Sequence, residues 1–197
     1  MPRLTNSVES AASTIRGGGI VVYPTETVYG VGALALKEKT VQKVIALKKM
    51  PSKPISIAVS SLEMINTVAY VYDDELLRKL LPGPFTVLLP KRATVPQILT
   101  AGSIYVGVRL PAHKMARQLI NEVGEPITST SANLSGDPPA THAEDVALDV
   151  NCVLDGGTAP FGPSTVVDLT NHTVIRKGAG YEYIERAGLL HKSRHNR

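Results

Sequence analysis

Ile20-Val21-Val22-Tyr23-Pro24-Thr25-Glu26-Thr27-Val28-Tyr29-Gly30 is the stretch that decides the fold class. Four apolar, mostly β-forming residues stop at a proline, and a polar run follows at once. The pattern is a short buried strand whose end carries hydroxyls and a carboxylate. Two further stretches repeat it: Ser129-Thr130-Ser131-Ala132-Asn133 after an apolar start at Ile127, and Gly162-Pro163-Ser164-Thr165-Val166. Small hydroxyls and amides are costly to bury unless each finds a partner. Clusters of them at strand ends predict a cavity for a ligand rich in hydrogen-bonding groups.

Outward from these stretches, helices and strands interleave. Residues 7–17 carry Val8, Ala11, Ala12 and Ile15 on one helical stripe, stopped by Gly17-Gly18-Gly19. A second helix over Thr40–Lys49 buries Val41, Val44 and Ile45, and its lysines complement the negative C-terminal end. Pro54–Val59 alternates as a strand, and Ser60 with Glu63 forms a capping box for the next helix. Asp73 or Asp74 caps another helix, which Pro82-Gly83-Pro84 breaks. Strands are predicted at Phe85–Leu89, Tyr105–Leu110, Val153–Leu154, Val166–Leu169 and Val174–Arg176, and a helix at His113–Val123. Thr141 and Glu144 read as a second capping box. This alternation predicts one α/β (α+β) domain with helices against a sheet. Short links such as Thr170-Asn171-His172 make that sheet mixed rather than purely parallel.

Bulk properties agree with a soluble globular chain. It has 197 residues, 43% hydrophobic and 19% charged, and no tryptophan, so the core must be aliphatic. No window approaches the roughly 20 apolar residues that span a bilayer, so no membrane association is expected. No basic segment followed by a long apolar run opens the chain, so a cytoplasmic location is expected. The single cysteine, Cys152, excludes an internal disulfide and reads as a small buried hydrophobe. Of the net charge of +4, Arg186, Lys192, Arg194 and Arg197 lie after the last acid, Glu185. The expected division is therefore a domain over 1–185 and a basic, mobile tail over 186–197.

Familiar catalytic signatures are missing. There is no Gly-x-x-x-x-Gly-Lys-Ser/Thr loop, no Gly-x-Gly-x-x-Gly fingerprint and no Gly-x-Ser-x-Gly elbow. Of five histidines only His191 and His195 have helical spacing, and they fall in the tail, so a zinc site is not expected. What remains suits anions. Arg109 ends an apolar strand, where its guanidinium can grip a carboxylate through two parallel hydrogen bonds or serve as a surface ion-pair partner. Lys48, Lys49 and Lys53 suit a polyphosphate or a solvated surface. Ser129, Thr130, Ser131 and Asn133 suit a nucleotide pocket or a half-exposed edge. Alternation places Thr25 and Thr27 on one face. Ser164 and Arg176 are uninformative taken singly.

Taken together these residues resemble one family, the YrdC-like threonylcarbamoyl-AMP synthases. The matching elements are Pro24–Gly30, Lys48, Pro82-Gly83-Pro84-Phe85-Thr86, Val106–Pro111, Ser131-Ala132-Asn133-Leu134-Ser135-Gly136 and Ser164–Asp168, in that order. The resemblance is to the short, single-domain form. It implies a twisted mixed sheet with helices packed on it and a concave cleft. It also implies synthesis of threonylcarbamoyl-AMP from L-threonine, bicarbonate and ATP, with magnesium on the phosphates and release of pyrophosphate. The product would pass to a downstream complex that modifies tRNA. By resemblance, Thr27, Arg109 and Ser164 contact threonine. Lys48, Lys53, Ser129, Ser131, Asn133 and Arg176 line the ATP side. Which residues would meet the metal is left unknown, and none is implied to form a covalent intermediate. The chain departs from the pattern at Met50, which replaces the arginine of Lys-x-Arg and cannot bind phosphate. Two other readings stand beside this one: an RNA-binding maturation factor using the basic tail, and a carbamoyl-transfer domain for a different carbamate.

Overall fold

The computed structural model describes residues 2–49, 53–134 and 136–190. Its strands are β1 (Arg3–Thr5), β2 (Val21–Tyr23), β3 (Gly30–Gly32), β4 (Ser56–Ala58) and β5 (Phe85–Pro90). They continue with β6 (Tyr105–Arg109), β7 (Ile127–Ser131), β8 (Cys152–Leu154), β9 (Thr165–Asp168) and β10 (Thr173–Arg176). The helices are α1 (Val8–Arg16), α2 (Glu38–Lys48), α3 (Leu62–Ile65), α4 (Asp74–Leu80), α5 (Lys114–Val123) and α6 (Tyr181–Ala187).

The strands join in one sheet of order β1-β8-β2-β3-β7-β4-β6-β5-β9-β10. β4 runs parallel to β6 and β5 to β9, whereas β3, β4 and β7 pair antiparallel. The short link at Thr170–His172 closes the antiparallel β9–β10 pair, as its length requires. The sheet is therefore mixed.

Period-two alternation sorts the core into two layers. Val21, Tyr23, Ala58, Ile127, Cys152 and Leu154 pack with Ala11, Ala12 and Ile15 of α1 and Leu119 and Ile120 of α5. Ile20, Val22, Ile57, Val59 and Val153 belong to the other layer, with Val41 and Val44 of α2, Ile65 of α3 and Leu76, Leu77 and Leu80 of α4. Burying apolar faces on both sides of the sheet is the dominant stabilising term.

Local boundaries differ from expectation at several points. Ser61, not Ser60, caps α3 by accepting from Met64 N, and Ser60 Oγ meets Met64 Sδ instead. Asp73 is the cap of α4. The predicted Thr141–Glu144 box is a short 3₁₀ turn, Ala143–Asp145, capped reciprocally by His142 and Asp145. β1, β3 and α6 were not anticipated. α6 runs through the expected 185/186 boundary, and Leu189 and Leu190 pack on the core. The rest of that tail, residues 191–197 with His191 and His195, lies outside the described residues, as do Met50 and Ser135.

Candidate functional site

Strand register assembles the site. Gly30 pairs with Ser131, Ser56 with Ser129, Ala58 with Arg109 and Thr86 with Val166. Residues far apart in sequence thus meet on one face of the sheet. They surround a polar cavity of about 200 Å³ lined by Arg109, Ser129, Thr130, Ser131, Ser164 and Arg176. Val28, Gly30, Pro54, Ser56, Thr86 and Pro163 complete its wall. Gly107 leaves room for that wall. A Cβ there would lie 2.7 Å from Ser56 Oγ, closer than real side chains approach, and a tight 3.1 Å from Thr86 Cγ2.

Arg109 ends β6 and is buried. Among the described residues its two side-chain hydrogen bonds leave from Nη2, to Glu26 Oε1 at 3.0 Å and to Thr27 Oγ1 at 2.8 Å. Among the described residues Nε is buried without a partner. The two parallel bonds expected from Arg109 to a carboxylate ligand are thus already half taken, because both usable edges of the fork contain Nη2. Glu26 in turn accepts from His113 N at 3.3 Å. Burial lowers the His113 imidazole pKa, against the raising effect of the Glu26 charge.

Pro24–Tyr29 is not a strand, so alternation does not explain the meeting of Thr25 and Thr27. A turn brings their hydroxyls to 2.8 Å. Thr25 Oγ1 donates to Val28 O at 2.7 Å and accepts from Thr27 N. The direction of the chain follows: Thr27 donates its proton to Thr25 and accepts from Arg109. Toward a ligand, Thr27 has only acceptor capacity left.

Elsewhere along the cavity, Ser164 and Thr86 hydroxyls lie 2.8 Å apart, both buried. Arg176, from the end of β10, donates through Nη2 to Ser164 O at 2.8 Å and Ser164 Oγ at 3.3 Å. Burial first, then the charge of Arg109, depresses the Arg176 guanidinium pKa. Two guanidiniums facing one polar cavity make it a site for anions.

Not every anticipated residue lines that cavity. Lys48 is only 1% exposed, and its Nζ donates to Ser131 O, Asn133 O and Asn133 Oδ1. Asn133 Oδ1 also accepts from Ser131 Oγ at 2.5 Å. Lys48 and Asn133 therefore sit behind the wall and fix the end of β7. Burial, then the nearby Lys53 charge, pushes the Lys48 pKa down to about 8. Lys53 itself is exposed. Thr27 reaches the site through Arg109. Sequence reasoning missed Ser56 and Thr86 as wall residues and Glu26 as the partner of Arg109. The carboxylate between two threonines was a local signal for Glu26, and the Pro82–Thr86 motif one for Thr86; nothing local marked Ser56.

Comparison with known proteins follows the same lines. The threonylcarbamoyl-AMP synthase of Pyrococcus abyssi is 42% identical over 172 residues, 83% of this chain and 51% of that protein. This chain thus spans about half the length of that relative. The threonylcarbamoyl-AMP synthase of Idiomarina loihiensis is 34% identical over 190 residues, 89% of this chain and 100% of that protein. The crystal structure of P. abyssi Sua5 complexed with L-threonine superposes with a TM-score of 0.88 at 36% identity, covering 96% of this chain and 62% of that one. YciO of Escherichia coli, at 24% identity and a TM-score of 0.80, shares the fold over 91% of this chain and 97% of its own. A family model, Sua5_yciO_yrdC with the description "Telomere recombination", matches residues 13–178, and with these relatives it establishes that the chain belongs to the Sua5/YciO/YrdC family.

Proposed function

We propose that this protein is a cytoplasmic L-threonylcarbamoyladenylate synthase. It joins L-threonine, bicarbonate and ATP into threonylcarbamoyl-AMP with release of pyrophosphate, for use by a downstream tRNA-modifying complex. One observation carries the reading: Arg109, Ser129, Ser131, Ser164 and Arg176 converge on one polar cavity. A relative with the name threonylcarbamoyl-AMP synthase, covered over its full length, supports it. Among the described residues no helix is long and apolar enough to cross a membrane.

The chemistry suits the wall. A carbamate oxygen attacks the α-phosphorus and the bond to the pyrophosphate oxygen breaks in line. Both reactants are anions, so the barrier falls when they are held together and their repulsion is screened. Arg109 takes the amino-acid carboxylate, and Arg176 serves the phosphate side. Ser129 and Ser131 offer hydroxyls to the nucleotide. At about 200 Å³ the cavity is smaller than the ~300–1,000 Å³ of typical ligand pockets. It therefore holds the reacting groups while the nucleoside extends over its mouth. The wall presents hydroxyls and guanidiniums, and among the described residues no three His, Cys, Asp or Glu side chains converge. In this reading magnesium enters as part of the MgATP substrate.

The test is pyrophosphate release by the pure protein. Release is expected only when ATP, L-threonine and bicarbonate are all present with magnesium. ATP turnover that ignores threonine overturns the reading.

A further inference from the structure

The cavity depends on a carboxylate that is not part of its lining. Glu26 has a side chain only 14% exposed, and its Oε1 accepts from Arg109 Nη2 at 3.0 Å. Its Oε2 accepts from His113 N at 3.3 Å, which ties the end of β6 to the start of α5. The second proton of Nη2 goes to Thr27 Oγ1, 2.8 Å away. That hydroxyl cannot turn aside, because its own proton is directed to Thr25. Nη2 is thus saturated by the protein. Among the described residues Nη1 has no hydrogen-bond partner, while Arg109 as a whole lines the cavity.

Two consequences follow from guanidinium geometry. Both two-pronged edges of the fork include Nη2, so an incoming carboxylate finds no free fork and meets Nη1 through a single prong. A single prong specifies position poorly unless the donor itself is immobile. Immobility comes from Glu26, whose charge-assisted bond anchors Nη2 on the protein side. Removing a buried partner of this kind also leaves an uncompensated cation, free to swing into the cavity.

We propose that Glu26 is a positioning residue for amino-acid recognition: it holds Arg109 so that Nη1 alone is presented to the substrate carboxylate. The proposal deepens the synthase reading and rests on it. Glu26 would not touch the amino acid, yet its loss would act on the amino acid far more than on the nucleotide.

The experiment is a double-mutant cycle read by calorimetric binding of L-threonine and by steady-state kinetics with threonine and ATP varied separately. Glu26→Gln keeps the shape and removes the charge. It is expected to weaken threonine binding and raise the threonine KM about tenfold, with the ATP KM and the kcat at saturating threonine little changed. In an Arg109→Ala background the same substitution is expected to add nothing, because its effect passes through Arg109. Threonine affinity equal to that of the unsubstituted protein, or a full additional loss in the Arg109→Ala background, overturns the proposal. So does an equal effect on both substrates, the mark of a general structural role. Should Glu26→Gln not fold, Glu26→Asp keeps the charge one methylene short. Weaker threonine binding with kcat retained supports the proposal, and unchanged binding overturns it. If the unsubstituted protein binds no threonine at all, the synthase reading itself falls. That outcome is distinct from an affinity that ignores Glu26.

Discussion

At the scale of single residues, the decisive interactions join positions far apart in the chain. Glu26 meets Arg109 and Lys48 meets Ser131 and Asn133. Sequence reading found the types of these residues, because hydroxyls, amides and cations at strand ends stand out against an aliphatic chain. It did not find their roles. Lys48 reads as a phosphate ligand when seen beside Lys49 and Lys53, yet it is buried with three carbonyl oxygens around its ammonium. Its pKa of about 8 lies below its ordinary value of 10.5. Between those two values the unfolded chain still holds a proton that the folded chain has released, so raising the pH favours folding. Stability of the unsubstituted protein is therefore expected to rise from pH 8 to pH 10.5 relative to Lys48→Met, and the difference between their urea-midpoint profiles checks it. Parallel profiles across that window contradict the assignment.

At the scale of elements, periodicity located every strand and helix that has a clear apolar rhythm. It failed where the rhythm is short or broken. β3 is Gly-Val-Gly and β1 only three residues long, so neither offers a period to read. The cap of α3 shifted by one residue, Ser60 to Ser61, because adjacent residues of equal capping ability differ only in backbone geometry. Gly107 shows what the element level adds to the site. In sequence it is a weak point in a valine strand; in the sheet it is the gap that admits Ser56 and Thr86. Gly107→Ala is expected to destabilise by about 1–3 kcal/mol through overpacking and to raise the threonine KM as the wall shifts. Denaturant midpoints and steady-state kinetics check both effects. A stable variant with unaltered kinetics contradicts the place given to this glycine.

At the scale of the whole molecule, the α/β class and the mixed sheet were legible from element order and link length. The strand order was not, since the sheet neighbours β3, β7, β4 and β6 are set by long-range pairing that leaves no local trace. That order is what gathers the polar strand ends into one cavity lined by both guanidiniums. The central claim is that this shared cavity takes the amino acid through Arg109. Calorimetric titration of L-threonine and, separately, of MgATP into the protein and into Arg109→Ala tests it most directly. Loss of a charge-assisted contact is worth about 1.5–3 kcal/mol, so threonine affinity is predicted to fall about 10- to 150-fold while MgATP affinity holds. Equal threonine affinity in the two proteins, or an equal loss for both ligands, contradicts it.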